Sequence, residues 1–212
     1  MDRSVQIDTF SRHTRVSRET ITSLIEYENI LKKANKGLNL IGKSTINIIW
    51  TRHFLDSAQV IDFIDKNDKT LIDLGSGAGF PGVVLGLMAK DRKIPVKIKL
   101  IDKSPKKIKF LKELMDRLDL SISVLNENIL EETKTYEADV IVARAFKPLE
   151  KILELIHKKA KNWKKIFIFL GKKGKTELLQ VSKSWDIEYK QRVSVTSDDS
   201  LIIEINRIKK IN

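Results

Sequence analysis

The sequence contains no cysteine, which excludes disulfides and cysteine-ligated metal centres. It has no long uncharged apolar run, so no helical membrane span is expected. Met1 opens no secretory leader, and the cytoplasm is the expected compartment. Histidines number three, and neither His13 nor His157 stands where it could join His53 and Asp56 around a metal. No Ser/His/Asp set or metal cluster suggests itself, and no metal is expected. Four prolines and nine glycines in 212 residues form no low-complexity linker, and no internal repeat is visible. Such a length can bury the core of one α/β domain with an extension.

Negative charge is also scarce. The chain has 40 Lys and Arg against 28 Asp and Glu, a formal net charge of +12. An excess of this size attracts phosphate backbones and points to a nucleic acid or another polyanion. A Lys-, Asn- and Ile-rich composition bias would give the same excess without such a partner. Arginine, the better phosphate and base reader, is the minority cation.

What the chain does have is concentrated in Thr70–Gly82. Leu71, Ile72 and Leu74 form a short apolar run of the kind found in buried strands. Gly75, Gly77 and Gly79 follow, where alternate residues without Cβ permit a sharp turn and a close ligand approach. Pro81 suits the first position of the helix that Val83–Met88 continues. Strand, glycine turn and helix N-terminus make a seat of nucleotide size. Gly77–Gly82 formally fits the dinucleotide pattern G-x-G-x-x-G. The frame Asp73-x-Gly75-x-Gly77-x-Gly79 fits the acidic-x-G-x-G-x-G pattern of S-adenosylmethionine (SAM) enzymes, and glycines that begin at Gly75 favour that register. Lys97–Ile101 continues as a second strand from Val96, with Asp102 at its end. A carboxylate there can accept from ribose hydroxyls of either cofactor, or cap the helix that follows Ser104-Pro105.

Elsewhere, Met1 to Val16 lacks periodicity and reads as loose. Ser17 with Thr20 can cap a helix whose stripe runs from Ile21 to Leu31 and ends at Gly37. Ser44-Thr45 is positioned to cap a second helix with Ile46, Ile49, Trp50 and Phe54 on its apolar side. Within this unit Gly37–Ser44 formally matches the phosphate-binding pattern G-x-x-x-x-G-K-S, but it follows a helical stripe rather than a strand, and Leu38, Leu40 and Ile41 suit burial. His53 and Asp56 share a helix face, which on pattern alone reads as an ion-paired surface. After Asp102, Ile108, Leu111, Leu114, Met115 and Leu118 form a helical stripe. Ile122 and Val124 suggest a third strand and Ala138–Ala143 a fourth. Arg144 follows at the edge where parallel sheets hold ligands, or pairs with Asp102 or Asp139. A helix over Leu149–Ala160, a fifth strand over Lys165–Leu170, the basic run Lys172–Lys175, and a hairpin of Trp185–Val195 with Ser200–Ile205 complete the chain. The expected fold is α/β, a doubly wound, mostly parallel seven-stranded Rossmann-like sheet of the SAM-dependent methyltransferase type with an antiparallel edge. Residues 1–66 are expected to be a helical extension packed on a domain of residues 67–212.

These motifs together resemble the bacterial GidB family, the ribosomal RNA small subunit methyltransferase G enzymes, from about Val16 to the C-terminus. The similarity lies in Asn39-Leu40, Arg52-His53 with Asp56-Ser57, Asp73–Gly82, Asp102-Lys-Ser with Phe110-Leu111, and Ala143-Arg144-Ala-Phe146. The resemblance implies methyl transfer from SAM to N7 of one guanine in 16S ribosomal RNA. It implies SAM contacts at Gly75, Phe80, Ile129-Leu130 and Arg144, with Asp102 near the ribose and Gly77 in the seat. It names no catalytic residue, since guanine N7 carries a free lone pair and no proton. The chain departs from the family at Asn128, where Arg is common, and at Ile129-Leu130, where Ala-Glu or a similar pair is common. Lys172 and Lys173 stand in altered order against a family Lys-Gly element. The small ribosomal subunit is the expected partner, and a monomer the expected state. The alternatives are an NAD-dependent oxidoreductase on the same seat and a non-catalytic RNA-binding assembly factor.

Overall fold

The computed structural model describes residues 2–131 and 133–211; Met1, where the expected loose segment begins, lies outside them. Helices α1 (Arg3–Thr14) and α2 (Arg18–Leu38) lead into a 3₁₀ turn over Lys43–Ile48, a wide π turn over Trp50–Leu55, the short α3 (Asp56–Ala58) and a second 3₁₀ turn over Ile61–Phe63. Then come β1 (Thr70–Leu74), α4 (Gly82–Asp91), β2 (Lys97–Asp102), α5 (Pro105–Leu118), β3 (Ser123–Asn126), β4 (Tyr136–Glu137) and β5 (Val140–Arg144). The chain closes with α6 (Leu149–Lys159), β6 (Ala160–Lys161), β7 (Lys165–Leu170), α7 (Gly174–Val181), β8 (Trp185–Ser194) and β9 (Ser197–Lys210).

Seven strands form one sheet in the order β3-β2-β1-β5-β7-β9-β8, with β4 and β6 as a separate small pair. β9 alone runs antiparallel to its neighbours, β7 and β8. The central strands alternate sides residue by residue, as a sheet covered on both faces requires. Leu71, Leu100, Val140, Val142 and Phe167 face α4 and α5, whereas Ile72, Ile101, Ile141, Ile166 and Ile203 face the α6 side. Leu74 is in register with Ile101 on one neighbour and Ala143 on the other, so β1, β2 and β5 end at one edge. The strand order reverses between β1 and β5, and a crevice at such a point is where open α/β sheets take ligands. The outermost strand, β8, departs from regular pairing with β9 at Glu188/Tyr189 and at Val193/Ser194.

Three expectations are corrected. Residues 2–16 are not loose, because α1 forms over Arg3–Thr14. Asp2 accepts from Ser4 N at its start, and Phe10 is fully buried edge-on against Trp50 at 5.5 Å. One aromatic anchor and tertiary packing hold this helix without a periodic stripe. Ser44 and Thr45 do not cap a regular helix. Thr45 Oγ1 donates back to Gly42 O, and the apolar Ile49, Trp50 and Phe54 are buried from a 3₁₀ turn and a π turn instead. The Lys172–Lys175 run is not only a strand boundary but the entry to α7, a helix that buries just Gly174, Leu178 and Val181 and so shows little period.

Smaller shifts concern caps. Ser17 Oγ accepts from Thr20 N as expected, but α2 runs through Gly37 to Leu38, and Asn39 takes the left-handed turn at φ 46°. Gly37 therefore lies in a helix, and the N–H of Ile41 is already held by Asn35 Oδ1 at 2.8 Å. A phosphate cradle needs free backbone donors after a strand, so the Gly37–Ser44 match has no structural basis. Phe10, Tyr27, Phe54, Val83 and Leu111 belong to one apolar cluster that joins the N-terminal helices to α4 and α5.

Phe10→Ala should lower stability by about 3 kcal/mol, the cost of a large aromatic cavity. The check is the urea midpoint at unchanged slope; a variant with the wild-type midpoint would show that α1 is not part of the core.

Candidate functional site

The glycine turn leaves β1 with Gly75 at φ 71° and Gly77 at φ 58°, conformations that favour residues lacking Cβ. It is clamped to the end of β2. Gly75 N and Ser76 N both donate to Ile101 O at 2.8 and 3.0 Å, Ile101 N donates to Ser76 Oγ, and Gly77 N donates to Asp102 Oδ2 at 2.9 Å. Asp102 Oδ1 accepts from Ser104 N, so its carboxylate joins the turn to the chain entering α5; Ser104 itself makes no side-chain cap. Asp73 Oδ2 accepts from Gly82 N at 2.8 Å, fixing the start of α4. That helix begins at Gly82, one residue later than the position expected for Pro81, which follows a cis peptide bond from Phe80. The glycines serve different ends. A Cβ on Gly75 would strike Phe146 Cδ2 at 2.1 Å, whereas one on Gly77 would only touch Gly75 O at 3.8 Å and Lys107 Nζ at 3.9 Å, so the positive φ rather than crowding is what favours glycine there.

Two clefts flank this turn and share Gly75, Lys107 and Ala145. One, of about 180 Å³, is walled by Asp102, Asn128, Ile129 and Leu130; the other, of about 340 Å³, by Gly77, Phe80, Arg52, His53 and Arg144. All seven residues expected to hold the cofactor therefore line one or both clefts. Ile129 is buried and Leu130 is 42% exposed, and Lys159 Nζ holds the carbonyls of both.

Arg144 does not pair with Asp102 or Asp139. Asp139 lies at the opposite end of β5, where it accepts from Lys69 N and Thr70 N and pairs with Lys164. Arg144 Nε instead meets Asp56 Oδ2 at 3.0 Å, Nη2 donates to Arg52 O at 2.7 Å, and Nη1 donates to His53 Nδ1 at 3.1 Å. The surface reading of His53 and Asp56 is thus replaced by burial of both, at 8% and 4% exposed. The π turn supplies Arg52 O and His53, and the first residue of α3 supplies Asp56. Asp56 Oδ1 is occupied too, by Ser194, Thr196 and Gln59.

Burial, then the Arg144 and Arg52 charges, lowers the His53 pKa from 6.5 to about 3. The ring is neutral, and its network assigns the tautomer: Nδ1 accepts from Arg144, so Nε2 carries the proton and donates to Thr45 Oγ1 at 2.9 Å. The imidazole stacks on Phe80 at 4.9 Å, and Phe80 stacks in turn on Tyr27 at 5.4 Å. Tyr27 donates to Ala78 O at 2.6 Å, holding the glycine turn from α2. Asp73 has the opposite shift. Desolvation raises its pKa to about 7, and Oδ1 has no hydrogen-bond partner. Sequence reasoning missed Tyr27, Thr45 and the Asp56–Arg144 pair. The polar Arg-His-x-x-Asp-Ser string was the available signal for the last, whereas Tyr27 reads as one more residue of an apolar stripe.

A seven-stranded sheet with one antiparallel strand next to its edge, and a glycine turn clamped by the carboxylate ending β2, give the chain the fold of the SAM-dependent methyltransferases. The chain belongs to the rRNA small subunit methyltransferase G family, GidB, whose model matches residues 20–202. The ribosomal RNA small subunit methyltransferase G of Pelagibacter ubique is 37% identical over 203 residues, 95% of each chain. Among solved structures, the 16S rRNA methylase RmtB overlays with a TM-score of 0.55 at 14% identity, covering 91% of this chain and 76% of that one. M. jannaschii TYW2 in complex with AdoMet gives 0.53 at 16% identity, covering 74% and 75%. At these identities the two structures speak to fold alone.

The His53 shift sets a pH dependence whose sign is fixed. Between pH 6.5 and about 3 the unfolded histidine binds a proton that the folded one does not, so its contribution to stability is lost as pH falls through 6.5. Asp73 does the reverse between about 7 and 3.8, where the folded state holds the extra proton. His53→Gln should remove the first term only. Its stability relative to wild type should rise as pH falls from 7 to 4.5, by up to about 1.4 kcal/mol per pH unit. Urea titrations at successive pH values measure this; a difference independent of pH would mean that His53 titrates normally.

Proposed function

We propose that the smaller cleft and the open face of Gly77 seat SAM, that the larger cleft admits the acceptor base, and that the acceptor is N7 of one guanine of 16S ribosomal RNA. The observation that carries this reading is the meeting of the two clefts at Gly75, beside a turn in which Gly77 lines the larger cleft at a positive φ. The residues fit the cofactor on their own chemistry. Asp102 donates no hydrogen bond and accepts one at each oxygen, which leaves lone pairs for ribose hydroxyls. Ile129 and Leu130 offer apolar surface to an adenine where a family glutamate would offer a side-chain acceptor. Bound SAM supplies an electrophilic methyl group on a sulfonium.

The remaining work falls to alignment. Guanine N7 needs no general base, so no side chain is assigned to proton transfer. Rate would come from holding acceptor and methyl in line and from a fixed electrostatic surround. Arg144, pinned by Asp56, His53 and Arg52, makes the wall of the larger cleft rigid. N7 lies on the major-groove edge, closed to side chains in A-form RNA, so the acceptor guanine must be unpaired or exposed by the assembly state of the subunit. Within this reading residues 1–66 are an extension that completes the larger cleft, residues 67–212 hold the cofactor, and the protein acts as a monomer in the cytoplasm.

Gly77→Val should abolish SAM binding in calorimetry while the protein stays folded, with a backbone cost of about 1–2 kcal/mol at a left-handed position. Wild-type SAM affinity in the folded variant would place the seat elsewhere. Binding of RNA should fall steeply with salt through counterion release, whereas SAM, which lacks phosphate, should be nearly indifferent. Filter binding of small subunits across a salt series, paired with SAM calorimetry, reads both; a flat RNA response would mean that the +12 charge is only compositional.

A further inference from the structure

Four arginines are half-buried: Arg52, Arg92, Arg144 and Arg192. Three of them hold a carboxylate, respectively Asp62 for Arg92, Asp56 for Arg144 and Glu204 for Arg192. Among the described residues no carboxylate lies within 4.0 Å of the Arg52 guanidinium, whose one side-chain contact is Ser200 Oγ at 3.5 Å. A cation taken partly out of water without an anion is costly unless an anion arrives.

Arg52 also stands at a junction. It lines the larger cleft, and with Asp56, Arg144, Gly171, Ser200 and Leu201 it lines an adjoining groove of about 130 Å³. This groove lies beyond the ends of β5 and β7. Its floor is open, because a Cβ on Gly171 would meet nothing within 4 Å. The exposed Lys172 and Lys173 follow Gly171 directly in the chain, Lys172 within 3.6 Å of the exposed Asp199, so basic side chains lie next to the groove wall on its surface side. Asp56 does not oppose an anion here, since its charge is matched by Arg144 and both its oxygens are bonded. The guanidinium of Arg52 is free to make the paired contacts that suit a phosphate.

We propose that this groove seats one backbone phosphate of the strand that carries the methyl-accepting base, with Arg52 as its cation and Ser200 Oγ as its hydroxyl donor. This assignment rests on the reading that the chain methylates RNA. A free small anion would need only the groove; the connection to the base cleft on one side and to Lys172 and Lys173 on the other favours a polymer. Arg52, joined through its carbonyl to Arg144, would thereby set the depth to which the strand enters.

The test compares wild type with Arg52→Gln and Arg52→Lys. Small subunits from cells lacking the enzyme serve as substrate and as filter-binding ligand. Arg52→Gln should raise KM for subunits about tenfold, with the larger effect on KM rather than kcat. It should also make the salt slope of binding shallower by about 0.7, the value for one single-strand phosphate contact. Arg52→Lys should recover the slope but not the full affinity, since a point charge replaces a planar fork. SAM affinity should stay within threefold in both, which also reports that the variants are folded. Wild-type KM and slope in Arg52→Gln would overturn the proposal, as would a loss of SAM affinity equal to the rise in KM. Because binding is measured apart from turnover, an inactive wild type would sink the methylation reading while the slope still judged the groove.

Discussion

Arg144 is the constraint on which the site depends. It ends a central strand, it is buried, and all of its directional bonds go to the stretch from Arg52 to Asp56. A guanidinium in that position cannot shed its charge, so its surroundings must supply an anion and acceptors. Asp56 supplies the first, and the Arg52 carbonyl and a neutral His53 supply the second. The π turn and its junction with α3 have a physical reason in this demand, because they bring three groups from the five residues Arg52 to Asp56 onto one guanidinium. It also explains why His53 is neutral: a protonated ring could not accept from Arg144. The chain before the sheet is thereby tied to the edge where β1, β2 and β5 end, and two walls of the larger cleft are bonded to each other.

The second constraint is the backbone of the glycine turn. Asp102, Ser76 and Tyr27 hold it from β2, from within, and from α2. A turn held from three directions is prepared before any ligand comes, and preorganisation of this kind lowers the cost of binding. The same loop is insulated on one side by the Tyr27–Phe80–His53 stack, which places aromatic faces between the core and the cleft.

Much of this was legible in the chain. The run from Leu71 to Gly79, Asp102 at the end of its strand, and the stripe from Ile108 to Leu118 follow local rules that the structure keeps, because strand, turn and amphipathic helix each leave a period or a residue type behind. Asn128, Ile129 and Leu130, placed only by family likeness, do line the smaller cleft. What was not legible depended on contacts between distant residues. Phe10 anchors α1 in a cluster of distant residues, edge-on against Trp50 forty residues on, and no period announces it. The expected partners of Arg144 were Asp102 and Asp139; the register sends Asp139 to the far end of its strand, and the true partner, Asp56, comes from a turn that no local pattern tied to that strand. α7 is short and buries little, so its sequence carries almost no helical signature.

The outermost strand has a consequence for how this protein coexists with copies of itself. β8 is ten residues long and paired on one side only, with Tyr189 and Val193 partly open to water. An edge of that length would ordinarily recruit another chain. Here Glu188, Lys190 and Arg192 alternate along it, and the breaks in regular pairing at Glu188/Tyr189 and Val193/Ser194 interrupt its line of free donors and acceptors. An incoming strand would find a template only a few residues long between the irregularities, lined by charged side chains that it would have to match. The edge thus offers little to self-templating, although the sheet is left open on that side.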